Sequence, residues 1–334
     1  MSEQAERQPV DPAAGRGNCV RTILGDIPLE QLNCAMLHEH VFWDYDPRWR
    51  GVCLDFSRQE LYKLISAGGR AIVDVAPHPY RIPEWYLSLA AQVDIHIIVS
   101  AGFYLERRTP PEFHAYTESQ MVDRLLKELT EGIQGSPLKA GVIKVAAESA
   151  RFTSWEQRVL RAAARVQRET GVPICSHAIE GGVEQFEALC EAGADPERIY
   201  ICHAETESGW EGRSVSQQID YLQQITCRGG SLYFSNFGWE FLSQTENLKR
   251  LMLTLCAQGF QGRLLFSSDA NYKVDETGNT WWEEQCNHPR LPAKNFAYTF
   301  TYIVPLLQRW GFTPADLQQF LVINPRAMFN TARL

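Results

Sequence analysis

Several features that would assign the protein to a particular class are missing from the sequence. No run approaches the ~18 apolar residues that a membrane span needs, and the N-terminal residues Met1-Ser2-Glu3-Gln4-Ala5-Glu6-Arg7 lack the apolar stretch of a secretory signal. The formal net charge is -8, the isoelectric point lies near 5.6, and no basic stripe or arm is present. We therefore expect no membrane partner and no nucleic-acid partner, but a small-molecule substrate.

The cysteines also argue against a secreted, disulfide-bonded scaffold. There are nine, an odd number, and none forms a C-x-x-C pair. Cys175 and Cys202 lie within apolar, strand-like runs, where thiols behave as small buried hydrophobic groups. This usage is typical of a reducing compartment, and we expect a cytoplasmic protein. The sequence also lacks a G-x-S-x-G elbow, a P-loop, a G-x-G-x-x-G run after the first strand and an H-E-x-x-H motif.

The order of strand-like and helix-like segments indicates the fold. Residues 1–18 are polar and rich in Pro, Gly and Ala, which predicts a disordered tail, and residues 19–32 have the composition of a short β-hairpin lid. Eight apolar, strand-like runs follow, with amphipathic stretches between most of them: 34–38, 71–75, 95–101, 141–146, 172–177, 199–203, 231–234 and 264–268. Alternation of this kind is typical of parallel βαβ units. Eight units predict a (β/α)8 TIM barrel in a single domain over residues 19–334.

Two of the helical segments carry clear local signals. In one, apolar residues recur at every fourth position, which predicts one buried stripe: Met121, Leu125, Leu129 and Ile133. In the other, Thr313 is a good N-cap and Pro314 suits the first helical position, so a terminal helix is predicted to start there. We expect the Asn324-Pro325 pair to end that helix.

The densest chemistry lies in His38-Glu39-His40, within an apolar run. The two imidazoles share a face only if the run is a strand, because strand side chains alternate with period 2. Other predicted strands end in residues of the same kind, and in such barrels these ends meet at the active-site rim. The combined set is His38, His40, Lys144, His177, His203 and Asp269. Each alone has a structural explanation, but their coincidence on one rim indicates a metal centre.

The donor types suggest which metal this centre holds. Histidine and carboxylate ligands without thiolates suit zinc, which we expect, or another borderline divalent ion. A desolvated Lys144 that becomes a neutral amine can take up carbon dioxide, and the resulting carbamate has two oxygens able to bridge two metals. Two divalent ions would carry +4, against -3 from Asp269, the carbamate and a bridging hydroxide. Asp269 then serves as a ligand and as a general base or proton shuttle.

With these residues in place, the chain resembles the phosphotriesterase-like group of the amidohydrolase superfamily, which includes phosphotriesterases, lactonases and amide hydrolases. The motifs that carry the resemblance arrive in the family's order: Leu37-His38-Glu39-His40, Glu131-Gly132-Ile133-Gln134-Gly135, Ala140-Gly141-Val142-Ile143-Lys144-Val145-Ala146, Ser176-His177, Cys202-His203, Ser268-Asp269 and Asn324-Pro325. The resemblance implies that His38, His40 and Asp269 hold a buried metal and that His177 and His203 hold an exposed one. It also implies a bridging N6-carboxylated Lys144 and a homodimer.

The resemblance also suggests candidate substrate residues. Gly102-Phe103-Tyr104 is similar to a family segment whose aromatic lines the pocket, which makes Tyr104 a candidate. The lactonase Asp-Arg-Tyr-Gly run is replaced by Phe234-Ser235-Asn236-Phe237-Gly238, so Asn236 stands where a substrate-facing Arg is expected. The long loop 271–292 adds Lys273 and Trp281, although Trp281 and Trp282 could equally pack a lid. Arg107, Arg108 and Lys273 could pair with a substrate carboxylate or be solvated loop charges.

Three functions remain open on this basis. The first is hydrolysis at a carbonyl, in a lactone, another carboxylic ester or an N-acyl amide, by a hydroxide that bridges the two metals. The second is phosphotriester hydrolysis, since an electropositive two-metal site also stabilises a phosphoryl transition state. A non-catalytic binding barrel ranks below both, because it would predict a broken ligand set and all six candidate ligands are present.

Overall fold

The chain enters its barrel through a small antiparallel hairpin, as the sequence predicts. The computed structural model describes residues 18–43, 46–282 and 293–330; most of the predicted disordered tail lies outside these ranges. The hairpin consists of β1 (Cys19–Thr22) and β2 (Gly25–Pro28), with Val20 opposite Ile27. Both of these side chains pack in the apolar interior of the barrel near its strand starts. The hairpin therefore covers the end of the barrel opposite to the predicted site.

Eight parallel strands follow and confirm the predicted (β/α)8 barrel. They are β3 (Ala35–Glu39), β4 (Ala71–Asp74), β5 (His96–Gly102), β6 (Val142–Ala146), β7 (Ile174–His177), β8 (Ile199–Cys202), β9 (Ser231–Phe234) and β10 (Leu264–Phe266). Neighbours in sequence are hydrogen-bonded neighbours in the sheet, from β3 through to β10. Each strand overlaps one of the eight predicted runs.

A buried carboxylate joins the first and last strands of the barrel. Glu39, whose side chain is fully buried, accepts hydrogen bonds from Ser268 N at 2.9 Å, Ser268 Oγ at 2.8 Å and Ala270 N at 2.5 Å. His40 N donates to Ala270 O at 3.1 Å across the same junction. The middle residue of the His-Glu-His motif thus closes the barrel, while its two neighbours turn toward the cavity.

Helices surround the sheet and are set by local signals in the sequence. They are α1 (Arg50–Ala67), α2 (Pro83–Ala90), α3 (Glu118–Thr130), α4 (Ser154–Thr170), α5 (Gly182–Glu191), α6 (Val215–Thr226) and α7 (Thr245–Ala257). Capping boxes begin α3, α4 and α6, where a Thr or Ser and a Gln or Glu three residues later satisfy each other's backbone N–H groups. All four residues of the predicted stripe (Met121, Leu125, Leu129 and Ile133) are buried, although Ile133 lies beyond the end of α3.

The C-terminal helices correct one expectation. Thr313 caps α9 (Pro314–Gln318) with a capping box, as predicted. The helix then continues through a π turn (Gln319–Ile323) into α10 (Asn324–Phe329), so the Asn324-Pro325 pair does not end it. The same arrangement occurs earlier, where a π turn (Thr299–Ile303) leads into α8 (Val304–Arg309), which carries Pro305. The wider turn accommodates a proline that would clash with an α-helical backbone.

Two further strands follow the barrel's last strand. They form a second hairpin, β11 (Tyr272–Val274) and β12 (Thr280–Trp282), in which Lys273 lies opposite Trp281. This hairpin occupies the first part of the long loop 271–292, whose residues 283–292 lie outside the described ranges. None of the helices described offers an apolar stretch of the length that a bilayer crossing requires.

Candidate metal centre

The six predicted ligands lie around one cavity at the carboxyl ends of the barrel strands. The cavity has a volume of about 190 Å³ and is lined by His38, His40, Trp43, Tyr104, Arg108, Lys144, His177, His203, Asp269, Asn271 and Lys273. A larger groove of about 420 Å³ lies outside the barrel near α4 and α5, and no histidine lines it. The structure thus brings together side chains separated by more than 200 residues in sequence.

Asp269 is the centre of the ligand set. Its Oδ1 lies 3.2 Å from His40 Nε2 and 3.5 Å from His38 Nε2, and its Oδ2 lies 3.9 Å from His203 Nδ1. Although burial alone would raise the pKa of this carboxyl, the facing imidazoles of His38, His40 and His203 hold it well below its usual range. A carboxylate enclosed in this way stays ionised, which is the form that binds a cation.

Two of these residues have an unusual backbone. His203 has φ +65° and Asp269 has φ +50°, both in the left-handed region that side chains with a Cβ seldom adopt. Each follows a barrel strand directly or closely, so the chain turns sharply at the rim. Backbone strain of this kind concentrates at sites where the position of a side chain matters more than local stability.

His177 and His203 form the outer part of the set. Their ring centroids are 4.5 Å apart, and the Tyr104 ring lies 5.2 Å from His177 on the other side. Burial lowers the pKa of His177 well below its usual range and that of His203 to about 4, and burial also lowers the pKa of His38. These imidazoles are therefore neutral at pH 7, and neutral imidazole is the form that coordinates metals.

Lys144 lies in β6 between the two groups of histidines, with a side chain only 1% exposed. Among the residues that the structure describes, no carboxylate pairs with its ammonium group, which instead contacts Cys175 Sγ at 3.5 Å. Strand β5 approaches Lys144 closely at Gly102, where an added Cβ would lie 2.0 Å from Lys144 O. A buried ammonium whose described partner is a cysteine sulfur and not a carboxylate is costly, which indicates another chemical state or a bound partner.

Polar groups behind the ligands hold two of the histidines, and sequence reasoning missed them. His38 Nδ1 lies 3.0 Å from Cys202 Sγ, and His203 Nδ1 lies 2.9 Å from Ser235 Oγ. Ser235 N in turn donates to the carboxylate of Glu205 at 2.5 Å. Partners on the second ring nitrogen fix the tautomer and orientation of a coordinating histidine. A Cys one residue before His203 was the available signal, but it gave no indication of where its thiol points.

The predicted substrate residues divide into two pairs. Tyr104 and Lys273 line the cavity. Asn236 does not: its side chain is 1% exposed and its Nδ2 donates to Thr206 Oγ1 at 2.6 Å. Trp281 also lies outside the lining and is 38% exposed on β12. The contribution of these four side chains to substrate binding remains a prediction.

An aromatic wall that the sequence did not indicate stands beside the ligands. Trp43, just after the His-Glu-His motif, lies with its ring centroid 4.6 Å from that of His40 and 5.4 Å from that of Tyr104. Behind it, the Tyr80 ring stacks on Trp43 at 4.3 Å with an interplanar angle of 14°. This wall gives the cavity an apolar side that can pack against a substrate and exclude water.

Comparison with known proteins gives a consistent result. The model of the phosphotriesterase family matches residues 18–329. A phosphotriesterase homology protein of Mycobacterium tuberculosis is 25% identical, covering 93% of this chain and 97% of that protein. The aryldialkylphosphatase of Saccharolobus solfataricus is 27% identical over 71% of this chain and 72% of its own length. The N-acetyltaurine hydrolase of Bos taurus is 26% identical over 80% of this chain and 75% of its own length.

A solved structure supports the same relationship. A mutant of the organophosphorus hydrolase from Deinococcus radiodurans superposes with a TM-score of 0.79 at 27% identity. The superposition covers 94% of this chain and 98% of that chain. The likeness therefore extends over the whole barrel and includes the rim that carries the six ligand-type side chains.

Proposed function

This chain belongs to the phosphotriesterase family, and we propose that within this family it is a metal-dependent hydrolase that cleaves an N-acyl amide or a carboxylic ester or lactone. The observation that carries the proposal is the ring of six ligand-type side chains around one cavity. The family is one of hydrolases with binuclear metal centres. The identity of the metal, the state of Lys144 and the substrate are the parts that we propose.

The residues present fit two divalent cations. Among the described residues, three buried atoms of the set have no hydrogen-bond partner: His40 Nδ1, His203 Nε2 and Asp269 Oδ1. Buried polar atoms are rarely left unsatisfied, so these atoms indicate a bound group. His38, His40 and Asp269 would hold one ion, and His177 and His203 the other. Zinc suits these nitrogen and oxygen donors.

Lys144 is suited to bridging the two ions as a carbamate. Its side chain is buried, and no described carboxylate neutralises an ammonium group there. Conversion to the carbamate would replace this cation with an anion, which would complement the charge of two bound divalent cations. The close approach of Gly102 to the Lys144 backbone fixes the position of β6 against β5 at this residue.

Bound at this site, two divalent ions would activate water as a nucleophile at neutral pH and polarise the oxygen of the scissile group. The remaining steps belong to the chain. Asp269, held ionised among the imidazoles, accepts a proton and carries it to the leaving group. Burial raises the pKa of Tyr104 above its usual range, so the phenol stays protonated and can donate a hydrogen bond to a substrate oxygen. Trp43 lines the same space and offers an apolar ring to a bound substrate.

Phosphotriester hydrolysis is the second candidate. It is favoured by the likeness to an aryldialkylphosphatase and to an organophosphorus hydrolase, whereas the likeness to N-acetyltaurine hydrolases favours an amide. The lactonase Arg is absent at Asn236, whose side chain points away from the cavity toward Thr206. The missing Arg weighs against a lactone relative to an N-acyl amide. We keep hydrolysis at a carbonyl as the leading candidate, with the N-acyl amide supported by the likeness to N-acetyltaurine hydrolases.

A substrate panel tests the proposal. Lactones, N-acyl amino acids, aryl esters and phosphotriesters are incubated with protein reconstituted with zinc, and turnover is measured for each. We expect close to two zinc ions per chain by elemental analysis and turnover of an amide, ester or lactone. One ion or none after reconstitution contradicts the binuclear site, and turnover of phosphotriesters alone contradicts the carbonyl substrate.

Two substitutions test the assigned roles. Lys144→Ala should lose zinc and activity, with partial recovery in short carboxylates that replace the carbamate. Asp269→Asn should keep the fold, as seen by circular dichroism, but lose turnover by at least about 100-fold. Asp220→Asn, an exposed carboxylate on α6, is the matched control and should change neither quantity. Full activity in either site variant removes that residue from the mechanism.

Two expectations about the protein in the cell also stand as proposals. We propose a cytoplasmic location, on the strength of its cysteine usage, and a homodimer, on the strength of the family resemblance. Light scattering coupled to size-exclusion chromatography measures the second directly. A mass equal to one chain of 38.0 kDa contradicts the dimer.

A further inference from the structure

Two cationic side chains stand in the wall of the same cavity as the metal ligands: Arg108 and Lys273. Building on the hydrolase function above, we propose that these two side chains bind an anionic group, a carboxylate or a sulfonate, carried by the substrate. The substrate class would then be acyl amides or esters that bear a negative charge, such as N-acyl amino acids.

The charge balance of the wall supports this assignment. Among the described residues that line the cavity, Asp269 is the one carboxylate, and it already faces three imidazoles. No described residue forms an ion pair with the Arg108 guanidinium. The whole chain is acidic, with a formal net charge of -8. Two cationic side chains in the wall of one cavity therefore differ in sign from the net charge of the protein. A cleft with cationic walls concentrates anions from solution.

The backbone of Arg108 is anchored to the aromatic wall. Arg108 ends a short helical turn (Glu106–Arg108) after β5. Its carbonyl oxygen accepts a hydrogen bond from Tyr80 Oη at 2.6 Å, and the Tyr80 ring stacks on Trp43, which also lines the cavity. The backbone from which the exposed Arg108 side chain extends is therefore held in place. A guanidinium suits the planar, two-pronged recognition of a carboxylate.

Lys273 approaches from a different loop. It lies in β11, which pairs with β12 just after the last barrel strand. Because β3 meets β10 and closes the barrel, β3 and β4 lie between β10 and β5 on that side of the ring. The two cations therefore come from loops on either side of the opening above β3 and β4. A substrate with its reacting group among the ligands can extend toward that side and meet both charges.

Arg107, the residue before Arg108, provides an internal control for the proposed subsite. Arg107 has the same side chain, yet its Nε lies 2.5 Å from Glu148 Oε1, and it does not line the cavity. Both partners of that pair are more than 40% exposed. An effect of general positive charge near the opening would depend on Arg107 and Arg108 alike, whereas a binding subsite depends on Arg108.

Kinetics with three matched amides test the inference. The probes are N-acetylglycine with a carboxylate, N-acetylaminomethanesulfonate with a sulfonate, and neutral N-acetylglycinamide. We expect the zinc-reconstituted protein to favour at least one anionic probe over the neutral one by about tenfold or more in kcat/KM. Arg108→Gln and Lys273→Gln should each lower kcat/KM for that probe by about 10- to 100-fold and change the neutral amide by less than about threefold. Arg107→Gln should leave all three rates unchanged.

The outcomes separate this inference from the hydrolase function. Equal rates for anionic and neutral amides, or equal losses in Arg107→Gln and Arg108→Gln, overturn the anionic subsite while the hydrolase function stands. If no amide is turned over, calorimetry of N-acetylglycine with the zinc-reconstituted protein decides. Binding that weakens in Arg108→Gln and Lys273→Gln supports the subsite without amide hydrolysis, and absence of binding overturns it. Preference between carboxylate and sulfonate identifies which anion the subsite accepts.

Discussion

The contact between Gly102 and Lys144 yields a prediction whose size follows from the structure. Gly102 pairs with Lys144 in the β5–β6 register and has φ +123°. A Cβ there would lie 2.0 Å from Lys144 O and 2.9 Å from Lys144 N. Gly102→Ala therefore combines a backbone penalty with a clash against main-chain atoms, which cannot rotate away. We expect this variant to be destabilised and to displace the Lys144 backbone.

Substitutions at two other glycines separate the backbone penalty from the penalty of the clash. Gly25 has φ +106° but nothing within 4 Å of an added Cβ, and Gly51 has open space and an ordinary φ. Gly51→Ala should raise the free energy of unfolding by about 0.5 kcal/mol, because alanine favours a helix. Gly25→Ala should lower it by about 1–2 kcal/mol through the backbone alone. Gly102→Ala adds overpacking of about 1–3 kcal/mol, for a total loss of about 2–5 kcal/mol.

Urea unfolding followed by circular dichroism measures these free energies. In a chain of 334 residues, a loss of about 2–5 kcal/mol corresponds to a Tm lower by about 3–7 °C. Zinc affinity, from competition with a chelator, should fall in Gly102→Ala and stay unchanged in Gly25→Ala, because only the former moves Lys144. If the two variants are equal in both stability and zinc affinity, the close approach of β5 to β6 is refuted.

Three further predictions concern groups behind the ligands. Cys202→Ala should weaken zinc binding by about 10–100-fold, because His38 Nδ1 loses its partner at 3.0 Å; Cys202→Ser should weaken it less. Tyr86→Phe should lower the free energy of unfolding by about 1.5–3 kcal/mol, because the buried Tyr86 Oη donates to Asp74 Oδ2 at 2.7 Å. Burial raises the pKa of Glu205 from 4.5 to about 7. Since the folded state then prefers the protonated form, stability from this group is present below about pH 4.5 and is lost as pH rises through about 7, by about 3 kcal/mol in all.

Each of these predictions has its own control. Cys227→Ala removes an exposed thiol and should leave chelator competition unchanged. Tyr62→Phe removes a hydroxyl from a half-exposed ring and should cost less than about 1 kcal/mol in urea unfolding. For Glu205, unfolding is measured from pH 4.5 to 8 with a chelator present. Glu205→Gln should change the slope by the Glu205 contribution of about 3 kcal/mol over this range, while Glu39, whose pKa burial also raises to about 7, contributes equally in both proteins. Equal values for a variant and its control, or an unchanged slope, contradict the corresponding assignment.

Much of the barrel could be predicted because its signals are local. Each strand is a short apolar run, and four of the described helices begin with a capping pair separated by three residues. The chain order of parallel strands is also their spatial order, so ligand-type residues at successive strand ends are expected on one rim. The terminal helix shows the limit of this reasoning: a proline signal alone did not reveal that a π turn would let the helix continue through Pro325.

The direction of the side chains at the rim could not be predicted from the sequence. Arg107 and Arg108 are identical neighbours, yet the turn at Glu106–Arg108 directs the first to Glu148 and the second to the cavity wall. Asn236 stands where a substrate-facing residue was expected, but its Nδ2 donates to Thr206 Oγ1 and its side chain does not line the cavity. Trp43 lines the cavity without any motif to mark it. In each case, contacts with distant segments decide the direction.

The sequence by itself determined the fold class and which six side chains share a rim, because strand period and strand order follow from local apolar pattern and chain order. Only the tertiary structure decided what stands behind and above that rim. Glu39 closes the barrel, Cys202 and Ser235 meet the ring nitrogens of His38 and His203, and two cations stand over the opening. These contacts join residues up to 231 positions apart, and their geometry is set by packing of the whole barrel, which no local pattern encodes.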